Sequence, residues 1–341
     1  MLCFWFAALL GGALGPQEAP GLQHPFEKHL RNIRQLTFQG ENAECYFSFD
    51  DRKLIFQSND SPNGRDQIYT MDLDGSNRRL ISTGQGACTC SFFFLDGKRV
   101  LFASTHWKEP NPPPPDRSLG YCWPMYRSMQ IFTADVDGGN LQKVTHFSRY
   151  TAEGSVSRQG RLLFTSAENG DLELYTADAD GTNIKRMTNE PGYDGGPFWS
   201  PDGTMIVWRR SAFPSDDEYE QYRDNLEKDV YRPGPLEIWV MDADGSNKRQ
   251  VTRLGCSSWA PYMHPDNQHI IFSSNYPDPN GREFDLYLIR IDGTGLERIT
   301  YTKEFDSFPM FSFDGKKLLF CSNRNQKNKG DTNVFIADWV P

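Results

Sequence analysis

Apolar and polar residues alternate along most of this chain in runs of five or six, separated by clusters of Asp, Gly, Ser and Asn. That is the pattern of half-buried β-strands joined by tight turns. One ten-residue phrase occurs five times, as Ile68 to Asn77, Ile131 to Asn140, Leu174 to Asn183, Ile238 to Asn247 and Leu286 to Gly295. Each copy has an alternating run, an Asp-Gly pair where the chain reverses, and then a short strand ending in Ile, Val or Met followed by Ser or Thr, which describes a repeating hairpin. The Asp-Gly pairs fall roughly 43 to 64 residues apart, the spacing of four-stranded propeller blades carrying insertions.

A second phrase precedes each hairpin and is clearest as Pro197 to Trp208, with Ser200-Pro201-Asp202-Gly203 at its turn. It recurs at Tyr46 to Asp51, Phe92 to Gly97, Val156 to Gly160, Tyr262 to Asn267 and Phe311 to Gly315. Six copies predict six blades. The last hairpin stops at Val334 to Asp338, and the strand it lacks is at the other end of the chain, where Ile33 to Thr37 reads like Lys248 to Thr252 and Glu297 to Thr300. The predicted fold is all-β: a six-bladed β-propeller over residues 33–341, with the N-terminal strand closing the last blade so that no sheet edge is left open.

Composition narrows the function classes. A formal net charge of −9 with no Lys/Arg cluster argues against a nucleic-acid partner. Leu2 to Leu14 is almost wholly apolar or small but short for a bilayer span. Residues 1–15 are therefore expected to be a signal peptide and 16–32 a linker, which gives a periplasmic or secreted protein with no membrane span. Six cysteines follow the leader. Cys88 and Cys90 could bridge to Cys45 or Cys122, or hold zinc, although buried free thiols suit their strand positions better.

The Ser-Pro-Asp-Gly turns, the Asp-X-Asp-Gly-Ser/Thr-Asn turns and the Arg-Ile/Val-Thr strands resemble the propeller repeats of TolB-type proteins, over residues 33 to 338. The resemblance implies a propeller that docks a protein partner in the cell envelope. The roughly 30 residues ahead of the first strand are too few for the separate N-terminal α/β domain of TolB, so only the propeller part is matched. Related propellers are also attached to peptidases, but neither Gly-X-Ser-X-Gly nor His-Glu-X-X-His occurs here.

The Asp- and Gly-rich turns share one face of such a ring and are explained by local backbone bonding. The opposite face carries two long insertions. His106 to Ser128 contains four consecutive prolines, then Asp116, Tyr121, Trp123 and Tyr126. Ala212 to Pro235 predicts a short helix capped by Ser215, with Tyr222, Leu226 and Val230 on one side. The insertions are expected either to bind a partner or to plug the channel mouth.

Alignment of the inner strands predicts two rings beneath those loops. The outer ring is Asn42, Cys88, Thr151, Asp194, Ser258 and Asp306. Two residues further in, and by strand periodicity on the same face, lie Glu44, Cys90, Glu153, Gly196, Ala260 and Phe308. Glu44, Glu153, Asp194 and Asp306 would then converge on one mouth and could hold a divalent cation such as calcium. His106, His146 and Trp259 are further candidates. The main expectation is a monomeric, exported propeller that binds a protein or peptide and is not an enzyme. The alternatives are a metal-dependent or carbohydrate-active enzyme with Glu153 and Asp194 as acid and base, and a structural scaffold.

Overall fold

The computed structural model of the protein describes residues 21–61, 63–114, 118, 120–213, 215–303 and 305–341. Six antiparallel four-stranded sheets follow one another around a ring. Their inner strands are Asn42–Phe47, Cys88–Phe93, Thr151–Val156, Tyr193–Trp199, Ser258–Met263 and Asp306–Phe311. Blade six is completed by Leu30–Gln35, which pairs with Asn333–Trp339. The closing strand thus begins at Leu30, ahead of the predicted Ile33. Among the described residues no helix is long and apolar enough to cross a membrane.

The repeat phrases have a chemical cause. In every blade an aromatic residue of the second strand lies opposite one of the third: Phe56 and Tyr69, Phe102 and Phe132, Phe164 and Tyr175, Trp208 and Trp239, Phe272 and Tyr287, Phe320 and Phe335. Their ring centroids are 5.6 to 6.2 Å apart, in the range where aromatic pairs add about 0.5–1.5 kcal/mol to area burial. The Ser or Thr that ends each hairpin accepts the N–H of the second residue of the third strand, as Ser82 does from Ile68 at 3.0 Å and Thr252 from Ile238 at 2.8 Å. Thr37 does the same for Val334 at 2.9 Å, so the N-terminal segment fulfils the outer-strand role in full.

The channel is not a pore. Below the mouth it is filled by Tyr46, Phe92, Phe198 and Tyr262, whose rings meet at 5.1 to 6.1 Å. Cys45, Cys88, Cys90, Cys256 and Cys321 are buried free thiols. The bridges considered for Cys88 and Cys90 are not formed.

Candidate functional site

Every inner strand carries a bulge at the same height. The register shifts between its second and fifth residues, or the third and sixth in Tyr193–Trp199, which starts one residue earlier, and the first of the two residues between them takes a left-handed conformation: Glu44, Cys90, Glu153, Gly196, Ala260 and Phe308, with φ of 48 to 56°. Five of the six are not glycine, so the conformation is held at a cost of about 1–2 kcal/mol each. The bulge reverses the pleat. This overturns the expectation that the two rings share a face.

The inner ring lines the channel. The outer ring is buried between strands, each member at 2% exposure or less. Cys88, Thr151, Asp194 and Ser258 bond through their side chains to the second strand of their own blade, as Thr151 Oγ1 does with Ser166 at 2.9 Å and Ser258 with Ser274 at 3.1 Å. The four carboxylates are therefore split. Asp194 is paired with Arg210 and accepts the Trp208 indole N–H at 2.6 Å. Asp306 is paired with Arg324 at 3.1 Å. Only Glu44 and Glu153 face the channel, and among the described residues no three His, Cys, Asp or Glu side chains are grouped to hold a metal ion. The proposed acid–base pair of Glu153 and Asp194 is likewise divided, each bound by its own arginine.

Glu153 is fixed by a residue that the sequence pattern had not singled out. Arg209 reaches it from the second strand of blade four, and the Gly196 N–H donates to its other oxygen at 2.8 Å. Arg209 also donates to the Tyr193 hydroxyl at 3.0 Å. The guanidinium passes over the backbone of Gly196, where an added Cβ would lie 2.0 Å from Nη1. The signal was available: Gly195-Gly196 interrupts blade four where other blades carry side chains, and Arg209 stands where they have Gln57, Ala103, Thr165, Ser273 and Cys321.

The two insertions meet. Trp123-Pro124 pairs with Val230-Tyr231 as a two-stranded ribbon, and the predicted helix forms at Asp216–Glu227 with the Ser215 side chain capping it. Trp123 stacks on Trp259 at 5.8 Å and covers Arg209, whose guanidinium lies 5.0 Å from the indole centroid. Tyr193 and Tyr231 stack at 4.3 Å beside it. The ribbon roofs the mouth on the side of blades three to five and leaves a cleft of about 460 Å³ towards blades one, two and six.

That cleft is acidic and aromatic. Glu41, Glu44, Asp66 and Glu153 line it together with Tyr121, Trp123, Tyr126 and Trp259. Burial pushes the Glu44 carboxyl up to about 7, opposed by a bond from Cys90 and reinforced by Glu153. Asp66 is also raised to about 7, by burial and then by Glu41 and Glu44. Gln57 ties the floor together, donating to Asp66 at 3.2 Å and accepting from Thr89 at 2.8 Å and the Cys90 N–H at 3.1 Å.

Of the sequence candidates, Asn42, Glu44, Glu153, Tyr121, Trp123 and Trp259 line the cleft, and Thr151, Asp194 and Asp306 do not. His106 packs against Phe132 at 4.5 Å and bonds Ser104, away from the mouth. His146 is exposed and is not part of the cleft. Asp116 lies outside the described residues. Asp66 and Gln57 had no distinguishing signal, because loop acids and strand glutamines are common.

A closed ring of six blades with a half-roofed acidic mouth defines the class of protein: a six-bladed β-propeller. Comparison with known proteins makes it more specific. No protein-family model matches the chain. A TolB homolog of Chlorobium luteolum is 28% identical over 39% of this chain and 36% of its own length. The Tol-Pal system protein TolB of Francisella tularensis is 30% identical over 30% of this chain and 22% of its own length. The chain thus spans about a fifth to a third of these relatives. The putative TolB structure from Agrobacterium tumefaciens matches with a TM-score of 0.59 at 18% identity, over 89% of this chain and 91% of that one. Oligogalacturonate lyase in complex with manganese matches at 0.56 and 16%, over 90% and 79%. The chain is a TolB-like six-bladed β-propeller.

Proposed function

We propose that this chain is an exported, monomeric propeller that binds a protein or peptide partner in the cell envelope, through its insertion-bearing face and the cleft at the channel mouth. The observation that carries this reading is the roofed cleft itself. Two insertions separated by roughly 80 residues of chain are joined into one aromatic ribbon over a rigid ring, leaving a volume of about 460 Å³ that suits a few residues of an extended segment. The TolB relatives support a partner of this kind.

The test is affinity capture from envelope extract of the source organism, using intact protein and a Trp123→Ala, Trp259→Ala variant whose melting curve shows it to be folded. The expected result is a partner that rebinds as a purified protein and loses at least tenfold in affinity to the variant. Identical captured sets for both proteins would overturn the reading.

A further inference from the structure

We propose that the cleft is a socket for an organic cation, the guanidinium of an arginine carried on an extended segment of the partner. This rests on the peptide-binding reading above and specifies its ligand. The first observation is a charge imbalance. Glu153 has Arg209, whereas Glu41, Glu44 and Asp66 form no ion pair among the described residues. Glu41 is exposed, but Glu44 and Asp66 sit inside the cleft, where the one cation among the lining residues, Arg209, is already bound to Glu153 and only partly offsets Glu44; carboxylates so placed create a standing demand for a cation.

The second observation is independent of charge. Asn42 is 0% exposed and lines the same cleft. Its Nδ2 donates to the carbonyls of Gln39 and Thr332, both at 2.9 Å, while its Oδ1 acceptor has no donor. The Trp259 Nε1–H, at the far wall, has no acceptor. An extended peptide supplies both kinds of missing group at once: side-chain N–H donors for Asn42, Glu44 and Asp66, and a backbone carbonyl for Trp259.

The walls select the kind of cation. Calcium or magnesium requires several oxygen ligands converging on a point, and no such group exists among the described residues. A guanidinium is planar, weakly hydrated, carries five donors in a fork and stacks on aromatic faces. The site already holds one in that manner, since Arg209 lies over Trp123 at 5.0 Å and Tyr193 at 5.6 Å.

The experiment uses the full chain at low ionic strength, with acetyl-Gly-Arg-Gly-amide and its citrulline counterpart, which keeps the shape and removes the charge, titrated by calorimetry. The arginine probe should bind at least tenfold more tightly, and Glu44→Gln with Asp66→Asn should bring it down to the citrulline level while leaving the citrulline probe unchanged. Equal affinity for the two probes, no binding of the arginine probe up to about 10 mM, or full affinity in the double variant would each overturn the proposal. Calcium chloride alone should not raise the melting temperature; a rise abolished by the same double variant would replace the organic cation with a metal. A partner captured as described above, with both probes binding alike, removes the socket and keeps the peptide-binding reading. Discrimination between the probes with no captured partner does the reverse.

Discussion

Gly196 shows how one missing Cβ builds the site. Its φ is +56°, and any side chain there would run into Arg209. Gly196→Ala should therefore cost about 2–4 kcal/mol in urea unfolding, through strain and a displaced buried guanidinium. Gly97→Ala, at φ +63° with nothing within 4 Å of the added carbon, should cost only about 1 kcal/mol. Glu44 and Asp66 give a second expectation at this scale. Both are raised to about 7, so between pH 4.5 and 7 the folded state keeps protons that the unfolded chain has released, and stability falls as pH rises through that window. The loss from pH 5 to pH 8 should reach about 5 kcal/mol from these two groups together. Asp194, at about 8, and Asp285, at about 7, act in the same direction. Unfolding curves of wild type minus the Glu44→Gln, Asp66→Asn variant isolate the cleft, and a parallel pH dependence for both proteins would refute this.

At the scale of elements, the insertion helix is held to blade three by two phenols. Tyr219 and Tyr222 donate to Asp171 at 3.0 and 2.7 Å, and Asp171 also accepts the N–H groups of Leu172 and Gly192. Tyr219→Phe with Tyr222→Phe keeps the rings and removes only the bonds to the blade. The expected outcome is a several-fold faster protease cut within residues 215–230, with global unfolding changed by about 1–2 kcal/mol. The same elements show what was legible in the sequence. The blades were, because two-residue periodicity and Asp-Gly turns leave few alternatives, and so was the helix, because Ser215 and the acids after it mark its start. The bulges were not, since the left-handed positions are occupied by Glu44, Cys90, Glu153, Ala260 and Phe308, none of them the Gly, Asn or Asp that ordinarily marks a left-handed backbone. That one local reversal sent Asp194 and Asp306 between the strands and left Glu44 and Glu153 in the channel. The ribbon of Trp123-Pro124 and Val230-Tyr231 is too short to have any periodicity at all.

On the scale of the whole molecule, ring closure depends on more than strand pairing. Arg324, at 4% side-chain exposure, binds Glu27 at 2.9 Å and Asp306 at 3.1 Å, both fully buried, and also donates to the Leu22 carbonyl at 3.1 Å. One guanidinium thus ties the segment ahead of the closing strand to the inner strand of blade six. Glu27 in turn accepts the Tyr301 N–H from beyond blade five at 3.4 Å, so two neighbouring blades are fixed to one carboxylate. Removing one partner from such a cluster leaves buried charge uncompensated, which costs about 3–5 kcal/mol, far more than the roughly 0–1 kcal/mol of an exposed pair. Arg324→Met should accordingly lower unfolding free energy by several kcal/mol, while Lys317→Ala, which removes a half-exposed pair with Asp338 on the same blade, should change it by less than about 1 kcal/mol. Because the first and last strands share one sheet, the destabilised protein should still unfold in a single step, with closure and blades lost together. Equilibrium urea curves followed by tryptophan fluorescence and by far-UV circular dichroism check this. Coincident transitions shifted to lower urea are expected for Arg324→Met, whereas an early partial transition would mean that the latch stabilises only the segment it holds and not the ring.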